Sequence, residues 1–183
     1  MEAFTAFARR FPVLLGVPLT WGHMDAYKHL NNVNFVRLLE SSRMHHFQAL
    51  MRHVDPADPG LDRAAWLGGT SCAGPILASI SCRFRAPLTF PDALCIGSSV
   101  TALGELRFSM AHAVYSHRLG AVAAEGAGEV VLYDYSALRK AREFPPALRA
   151  AIGAVEATAA SRSAEELAAL FASTGGGQRY ELI

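Results

Sequence analysis

Residues 21–52 have the sequence WGHMDAYKHLNNVNFVRLLESSRMHHFQALMR, in which a polar loop passes directly into a long helix. Asn31 or Asn32 is predicted to cap the helix, because a short amide side chain can accept from the free N–H groups of the first turn. From Asn32 to about Arg52, apolar residues recur at about 100° per residue around the helix axis. The predicted apolar arc consists of Val33, Val36, Leu39, Met44, Phe47, Leu50 and Met51.

Segments typical of β-strands lie on both sides of this helix. One precedes it, at residues 13–21, with the β-branched and aromatic content of a strand. Four more follow, at residues 76–85, 93–103, 106–117 and 121–135. Proline and glycine interrupt residues 54–75, where we expect an irregular segment with a turn of helix near residues 61–67. This order predicts an α+β fold, in which an antiparallel sheet of about five strands wraps around one long central helix.

Length and composition limit the possible classes of protein. The chain has 183 residues, of which 51% are hydrophobic and 18% charged, and a net charge of +1. These values indicate one compact domain and give no reason to expect a nucleic-acid or membrane partner. The three cysteines, Cys72, Cys82 and Cys95, form no C-x-x-C pair, so we expect neither a disulfide scaffold nor a zinc site. The apolar runs are too short for a signal peptide or a membrane span, and a cytoplasmic location is the expectation.

Residues 1–140 are predicted to form this domain. Residues 141–183 are predicted to be a C-terminal extension of short helices and a flexible tail rather than a second domain. Pro145-Pro146 opens one short helix of the extension, and residues 163–173 are predicted to form another.

The loop before the central helix carries the groups that matter for chemistry. Asp25 and His29 are followed by Asn31 and Asn32 at the predicted helix start. A carboxylate near a helix N-terminus suits a site where backbone N–H groups polarise a carbonyl group that is attacked from the side. The structural alternative is that Asp25 is a turn residue and that the two asparagines are only caps.

These residues resemble the signature of a known family. The run 21–25, the segment His29-Leu30-Asn31-Asn32 and residues 35–43 are similar to hotdog-fold acyl-CoA thioesterases, nearest to the 4-hydroxybenzoyl-CoA thioesterase-like group. Residues 83–92 resemble the family's strand exit. The resemblance implies a hotdog fold and a hydrolase that releases a free acid and coenzyme A without a metal or redox cofactor.

The resemblance also implies roles for particular residues. Asp25 would attack the thioester or activate water, and the backbone N–H near Asn32 would bind the thioester oxygen. The predicted substrate contacts are His29, Asn31 and Val33, although His29 could instead be a buried histidine bonded to a backbone carbonyl.

Two positions depart from the family pattern. His23 replaces the usual first acidic residue, which alters the charge near Asp25. Lys28 replaces a usual glycine, and a position that needs a positive φ would disfavour lysine.

Glu40 and Arg43 lie three residues apart within the predicted helix. Glu40 could be a second carboxylate of the site, but we favour a mutually compensating pair at a dimer seam. A curved sheet with an exposed edge commonly pairs with a second copy, so we expect a homodimer or homotetramer with sites at the seam.

Two other functions fit the same fold. One is a non-catalytic protein that binds acyl-CoA or an acyl carrier, with His23 and Lys28 marking lost chemistry. The other is a hydratase or dehydratase, against which the spacing of Asp25 and His29 counts.

Overall fold

The structure is a computed structural model that describes residues 1–68 and 73–177. The helices are α1 (Glu2–Ala8), α2 (Asn32–Arg52), α3 (Arg63–Trp66), α4 (Pro146–Glu156), α5 (Thr158–Ser161) and α6 (Ala164–Ser173). The strands are β1 (Val13–Leu19), β2 (Ala73–Phe84), β3 (Asp92–Leu103), β4 (Arg107–Ser116), β5 (Ala121–Asp134) and the two-residue β6 (Arg139–Lys140). A short 3₁₀ turn, Trp21–His23, joins β1 to the loop before α2.

The strands form one antiparallel sheet in the order β1-β3-β4-β5-β2, to which β6 adds beside β5. Helix α2 packs against the sheet mainly through β1 and β3. The predicted α+β architecture is therefore confirmed, and α2 begins and ends at the predicted residues. Among the described strands β2 pairs only with β5, which leaves its other edge free.

Two hydrophobic clusters fill the space between α2 and the sheet. Near the start of the helix, Leu39 packs with residues of β3 and β4 such as Ile96 and Val114. Near its end, Phe47 and Leu50 join a larger cluster. That cluster also contains residues beyond position 140 from α4: Leu148, Ala151, Ile152 and Val155.

The outer face of the sheet is covered by helices from both ends of the chain. Phe4 and Phe7 of α1 pack with Tyr115 of β4 and Leu167 of α6. Helix α1 was not predicted, although its phenylalanines recur at helical spacing. A seven-residue helix is not stable alone, so α1 depends on its packing against the sheet for stability.

The predicted apolar arc of α2 was wrong in part. Three of its members are substantially exposed, Val33 at 59%, Val36 at 38% and Met44 at 36%. The buried face contains Phe35 and Leu38 and also three polar residues, Ser42, Arg43 and His46. The predicted buried face is rotated around the helix axis relative to the observed one. The prediction counted apolar residues only, whereas part of the observed buried face is polar.

None of the described helices is long and apolar enough to cross a membrane. Cys72 and the last residues of the predicted tail, 178–183, lie outside the described residues.

Candidate active site

The loop between β1 and α2 is held by its own backbone. Its two ends meet at a bridge between Met24 and Leu30. Inside it, the Asp25 N–H donates to the His29 carbonyl at 2.8 Å, and the Lys28 N–H donates to the Asp25 carbonyl at 3.0 Å. The Leu30 N–H donates to the Leu88 carbonyl at 2.7 Å, which ties the loop to the segment after β2.

Asp25 has one anchored and one available carboxylate oxygen. Its Oδ1 accepts from the backbone N–H groups of Tyr27 at 2.8 Å and His29 at 3.3 Å. Its Oδ2 has no hydrogen-bond partner among the described residues. The turn geometry of the structural alternative is therefore present, and it fixes the orientation of the carboxylate while leaving one oxygen for a ligand.

The first turn of α2 leaves one backbone amide available. Asn31 is the N-cap, as predicted, and its Oδ1 accepts from the Val33 N–H at 3.0 Å. The Asn34 N–H donates to the Asn31 carbonyl at 2.8 Å, and the Asn34 side chain donates to the His23 carbonyl at 2.9 Å. Within residues 1–68 and 73–177, the Asn32 N–H has no acceptor. It lies at the positive end of a 21-residue helix, which suits it to bind a negatively charged oxygen.

Asp25 and Asn32 line the same cleft, whose volume is about 460 Å³. Its other lining residues are Tyr27, His29, Leu30, Phe35, Phe84, Arg85, Ala86 and Pro87. The volume is within the range of small-molecule sites. The structure thus brings Asp25, His29 and Asn32 together at one cleft.

The other two predicted substrate contacts lie elsewhere. The Asn31 side chain is engaged as the helix cap, and the Val33 side chain points into solvent with 59% exposure. Neither lines the cleft. Phe84 does line it, in edge-to-face contact with Phe35 at 5.1 Å between ring centroids. The segment identified in the sequence as a family-like strand exit begins one residue before Phe84, so a signal for this wall was present.

Both departures from the family pattern have a local explanation. Lys28 has a φ of +62°, so this position does need the left-handed conformation that glycine adopts most easily. Lysine takes that conformation here, and the loop closes around it. His23 belongs to the 3₁₀ turn, where its Nδ1 accepts from the Thr20 N–H at 3.4 Å.

A second cleft of about 480 Å³ also contains Asp25. Its other lining residues are Trp21, Gly22, Met24, Lys28 and Phe90. Asp25 therefore lies at the boundary of two clefts, so a ligand bound at its carboxylate could extend into either one. In the part of the chain that the structure describes, no three His, Cys, Asp or Glu residues are grouped so as to hold a metal ion.

Comparison with known proteins bears on the family and the fold of the chain. A family model described as the thioesterase-like superfamily matches residues 19–152. A search of curated proteins finds no significant match.

Many solved structures share the architecture. A thioesterase from Thermus thermophilus, complexed with coenzyme A and Zn, is 25% identical with a TM-score of 0.64, over 81% of this chain and 97% of that one. The PA5185 protein from Pseudomonas aeruginosa is 23% identical with a TM-score of 0.63, over 81% and 94%. A DHNA-CoA thioesterase from Staphylococcus aureus is 13% identical with a TM-score of 0.63, over 79% and 91%. These likenesses confirm the hotdog fold.

Proposed function

This chain belongs to the thioesterase-like superfamily, and from that membership we propose that it hydrolyses an acyl-CoA thioester to a free acid and coenzyme A. One observation carries the proposal. Asp25 and Asn32 line one cleft. Among the described residues, one carboxylate oxygen of Asp25 has no hydrogen-bond partner and the backbone N–H of Asn32 has no acceptor.

The Asn32 amide would act on the thioester oxygen. When the carbonyl carbon is attacked, its oxygen gains negative charge, and an N–H at the positive end of a helix stabilises that charge. In other enzymes, removing one such hydrogen-bond donor typically slows catalysis by about 10²–10³-fold. Coenzyme A leaves readily as a thiolate, so the site needs no strong acid for the leaving group.

The Asp25 carboxylate would supply the attacking oxygen by one of two routes. In the first, Oδ2 attacks the carbonyl carbon, the thiolate leaves, and water then hydrolyses the resulting mixed anhydride. In the second, the carboxylate takes a proton from a water molecule whose oxygen attacks that carbon, and the thiolate leaves. A single turnover in ¹⁸O-labelled water tests the first route: solvent oxygen enters the Asp25 side chain if water attacks the aspartyl carbon of the anhydride, whereas the second route breaks no bond of that carboxylate.

The remaining groups position the reactants. The backbone N–H groups of Tyr27 and His29 fix the Asp25 carboxylate, and the His29 side chain, which lines the cleft, would contact the acyl group. Asn31 would act indirectly, since it caps α2 and engages the Val33 amide, which leaves the Asn32 amide for the substrate.

The first prediction concerns Asp25. We expect Asp25→Asn to lower thiol release from acyl-CoA by at least about 10³-fold while acyl-CoA still binds, because the amide keeps the turn but cannot attack or take a proton. A thiol-detecting dye measures turnover over a panel of acyl-CoA esters, and calorimetry measures binding.

Asp58→Asn is the matched control. Asp58 accepts a backbone amide in a similar turn, from Gly60 at 2.8 Å, and lies outside the cleft. Its replacement should leave turnover unchanged. If the wild type releases no thiol from any ester, an acyl-CoA binding protein is the better assignment. A change in enoyl-CoA absorbance without free thiol would favour a hydratase.

We also infer that the active unit is a homodimer. The free edge of β2 exposes Ile76 and Leu77, and the neighbouring face of α2 exposes Val36 and Met44. An unpaired, apolar edge strand is a template for pairing with another chain. The cleft that holds Asp25 lies between α2 and the end of β2, so a second copy seated there would lie beside it.

A further inference from the structure

Buried polar side chains that each carry an unpartnered atom lie close together under the middle of α2. Ser42, Arg43 and His46 on the helix and His112 on β4 are all at least nine-tenths buried. Among the described residues, Ser42 Oγ, one terminal nitrogen of Arg43, His46 Nε2 and both ring nitrogens of His112 have no hydrogen-bond partner. Folded proteins leave few buried polar atoms in this state, so a group of them in one place calls for an explanation.

Arg43 is the charged member of the group. Burial lowers the pKa of its guanidinium below the usual value, with Glu40 opposing, but arginine keeps its charge at neutral pH. Its partner Glu40 is 3.8 Å away, and 64% of the Glu40 side chain is exposed. That distance exceeds a hydrogen bond, and a pair with one exposed member contributes little. Arg43 is therefore a buried cation whose ion-pair partner among the described residues is exposed and beyond hydrogen-bond distance.

The neighbouring groups do not supply a closer anion. Burial lowers the pKa of His46 to about 4 and that of His112 to about 3, so both rings are neutral at pH 7. Glu156 approaches from α4, with its Oε1 3.5 Å from His46 Nε2. The same oxygen already accepts from the Val100 N–H at 2.7 Å.

Arg43 also lines a cleft of about 360 Å³ between α2 and the β2–β5 edge. Its walls include Phe47, Trp66 and Ile76, and the rings of Phe47 and Trp66 meet edge to face at 5.5 Å. Glu40 also lines it and is largely exposed to solvent. The cleft thus combines an apolar, aromatic wall with one buried positive charge, which is the usual composition of a small-molecule site.

We propose that this cleft binds an apolar carboxylate, with the hydrocarbon or aromatic body against Phe47, Trp66 and Ile76 and the carboxylate on Arg43. The guanidinium matches a carboxylate because both are planar and can form two parallel hydrogen bonds. Along the helix Arg43 lies about 16 Å from Asn32, so within one chain this is a separate site from the cleft at the helix start. Ile76 also belongs to the edge on which a second copy is proposed to seat, so in the dimer the ligand would lie at the subunit boundary.

Two ligands share this chemistry. One is the free acid that the proposed reaction releases, and the other is an acyl group that carries a second carboxylate at its far end. The binding claim rests on neither hydrolysis nor Asp25. The choice between the two sources does rest on the proposed function.

Trp66 provides a direct test of binding. The chain has two tryptophans, Trp21 with 76% exposure and Trp66 with 2%. In a Trp21→Phe background, Trp66 fluorescence can be titrated with benzoate, phenylacetate and octanoate and with the corresponding neutral amides. We expect saturable changes with the carboxylates and at least about tenfold weaker binding of the amides, since a hydrogen bond to a charged group is lost.

Variants of the ion pair sharpen the test. Arg43→Met should weaken carboxylate binding at least about tenfold and leave the amides unaffected. Arg43→Lys should retain part of the affinity. Glu40→Gln is the matched control, and it should bind carboxylates at least as tightly as the parent because it removes an exposed negative charge. Circular dichroism establishes that each variant is folded.

Several results would overturn the proposal. These are equal affinity for carboxylates and amides, unchanged carboxylate affinity in Arg43→Met, or no saturable binding of any carboxylate at millimolar concentration. The first and third need no substitution at Arg43, so the proposal stays falsifiable if Arg43→Met does not fold.

Kinetics then distinguish the two sources. If the released acid is the ligand, Arg43→Met should relieve inhibition by added acid. If the acyl group is the ligand, its chain must span the roughly 16 Å between the two clefts, so the variant should raise KM for a long dicarboxylic ester such as tetradecanedioyl-CoA but not for tetradecanoyl-CoA. A wild type that binds carboxylates and releases thiol from no ester of the panel would contradict the proposed function and leave this binding site standing.

Discussion

Lys28 shows how a single residue can hold a strained conformation in the loop that presents Asp25. Its φ of +62° is unfavourable for a residue with a Cβ, by about 1–2 kcal/mol. The backbone bond from its N–H to the Asp25 carbonyl and the surrounding turn keep it there. Strain of this kind is concentrated at functional sites, which agrees with the position of Lys28 beside the candidate carboxylate.

We therefore predict that Lys28→Gly stabilises the protein by about 0.5–1 kcal/mol, which is the relieved strain less the entropy that glycine adds to the unfolded chain. Urea denaturation at pH 7 measures this change. Lys28→Ala is the control, since alanine keeps the strain and should give no gain. Equal stabilities for the two variants would show that the positive φ carries no cost.

The buried histidines predict how stability depends on pH. Both have a folded pKa below the unfolded value of about 6.5, near 4 for His46 and near 3 for His112. Between these values and pH 6.5 the unfolded chain binds more protons than the folded one, so stability falls as the pH is lowered. Each histidine contributes a slope of about 1.4 kcal/mol per pH unit in that interval. The raised pKa values of Asp92 and Glu156 act in the opposite direction and offset part of the loss.

Removing one titrating group isolates its share of that slope. We expect His112→Gln to lose less stability than the wild type between pH 6.5 and 4, because glutamine does not titrate. Urea denaturation at three pH values in this interval gives both slopes. Parallel slopes for the two proteins would mean that His112 is protonated in the folded state.

At the scale of elements, periodicity predicted where α2 begins and ends but not the whole of its buried face. The bounds follow from local chemistry, because Asn31 caps the helix whatever the rest of the chain does. The face depends on tertiary contacts. His46 is buried because Ser98 on β3 offers its Nδ1 a hydrogen-bond partner at 3.0 Å, which no pattern within the helix records.

The candidate site likewise has one part that local sequence predicts and one part that depends on tertiary contacts. Asp25, His29 and Asn32 are close in sequence, so their meeting at one cleft could be predicted from the loop. The opposite wall comes from Phe84 and Pro87, more than 50 residues later, and the register of β2 on β5 decides where they lie. Sequence could identify that segment as similar to a family strand exit, but only the sheet places it against α2.

At the scale of the whole molecule, the outer face of the sheet is covered within the chain, whereas the α2–β2 side is partly exposed. Helices α1 and α6 cover the outer face, where Arg162 donates to the carbonyls of Ala8, Phe11 and Pro12 and so connects the two ends of the chain. The α2–β2 side keeps exposed apolar residues and a strand edge with which no other described strand pairs. This difference is the structural reason for placing a second copy on the α2–β2 side.

We predict that Val36→Glu converts the protein to a monomer at micromolar concentration. Val36 is 38% exposed on α2, so the charge should be tolerated in one chain, but a second copy would bury it without a partner. Ala150→Glu adds the same charge at an exposed position of α4 and should leave the assembly unchanged. Light scattering measures the mass of each protein and also separates a dimer from a tetramer. A wild-type chain that is already monomeric at this concentration would contradict the proposed assembly, and Val36 would then need another explanation for its exposure.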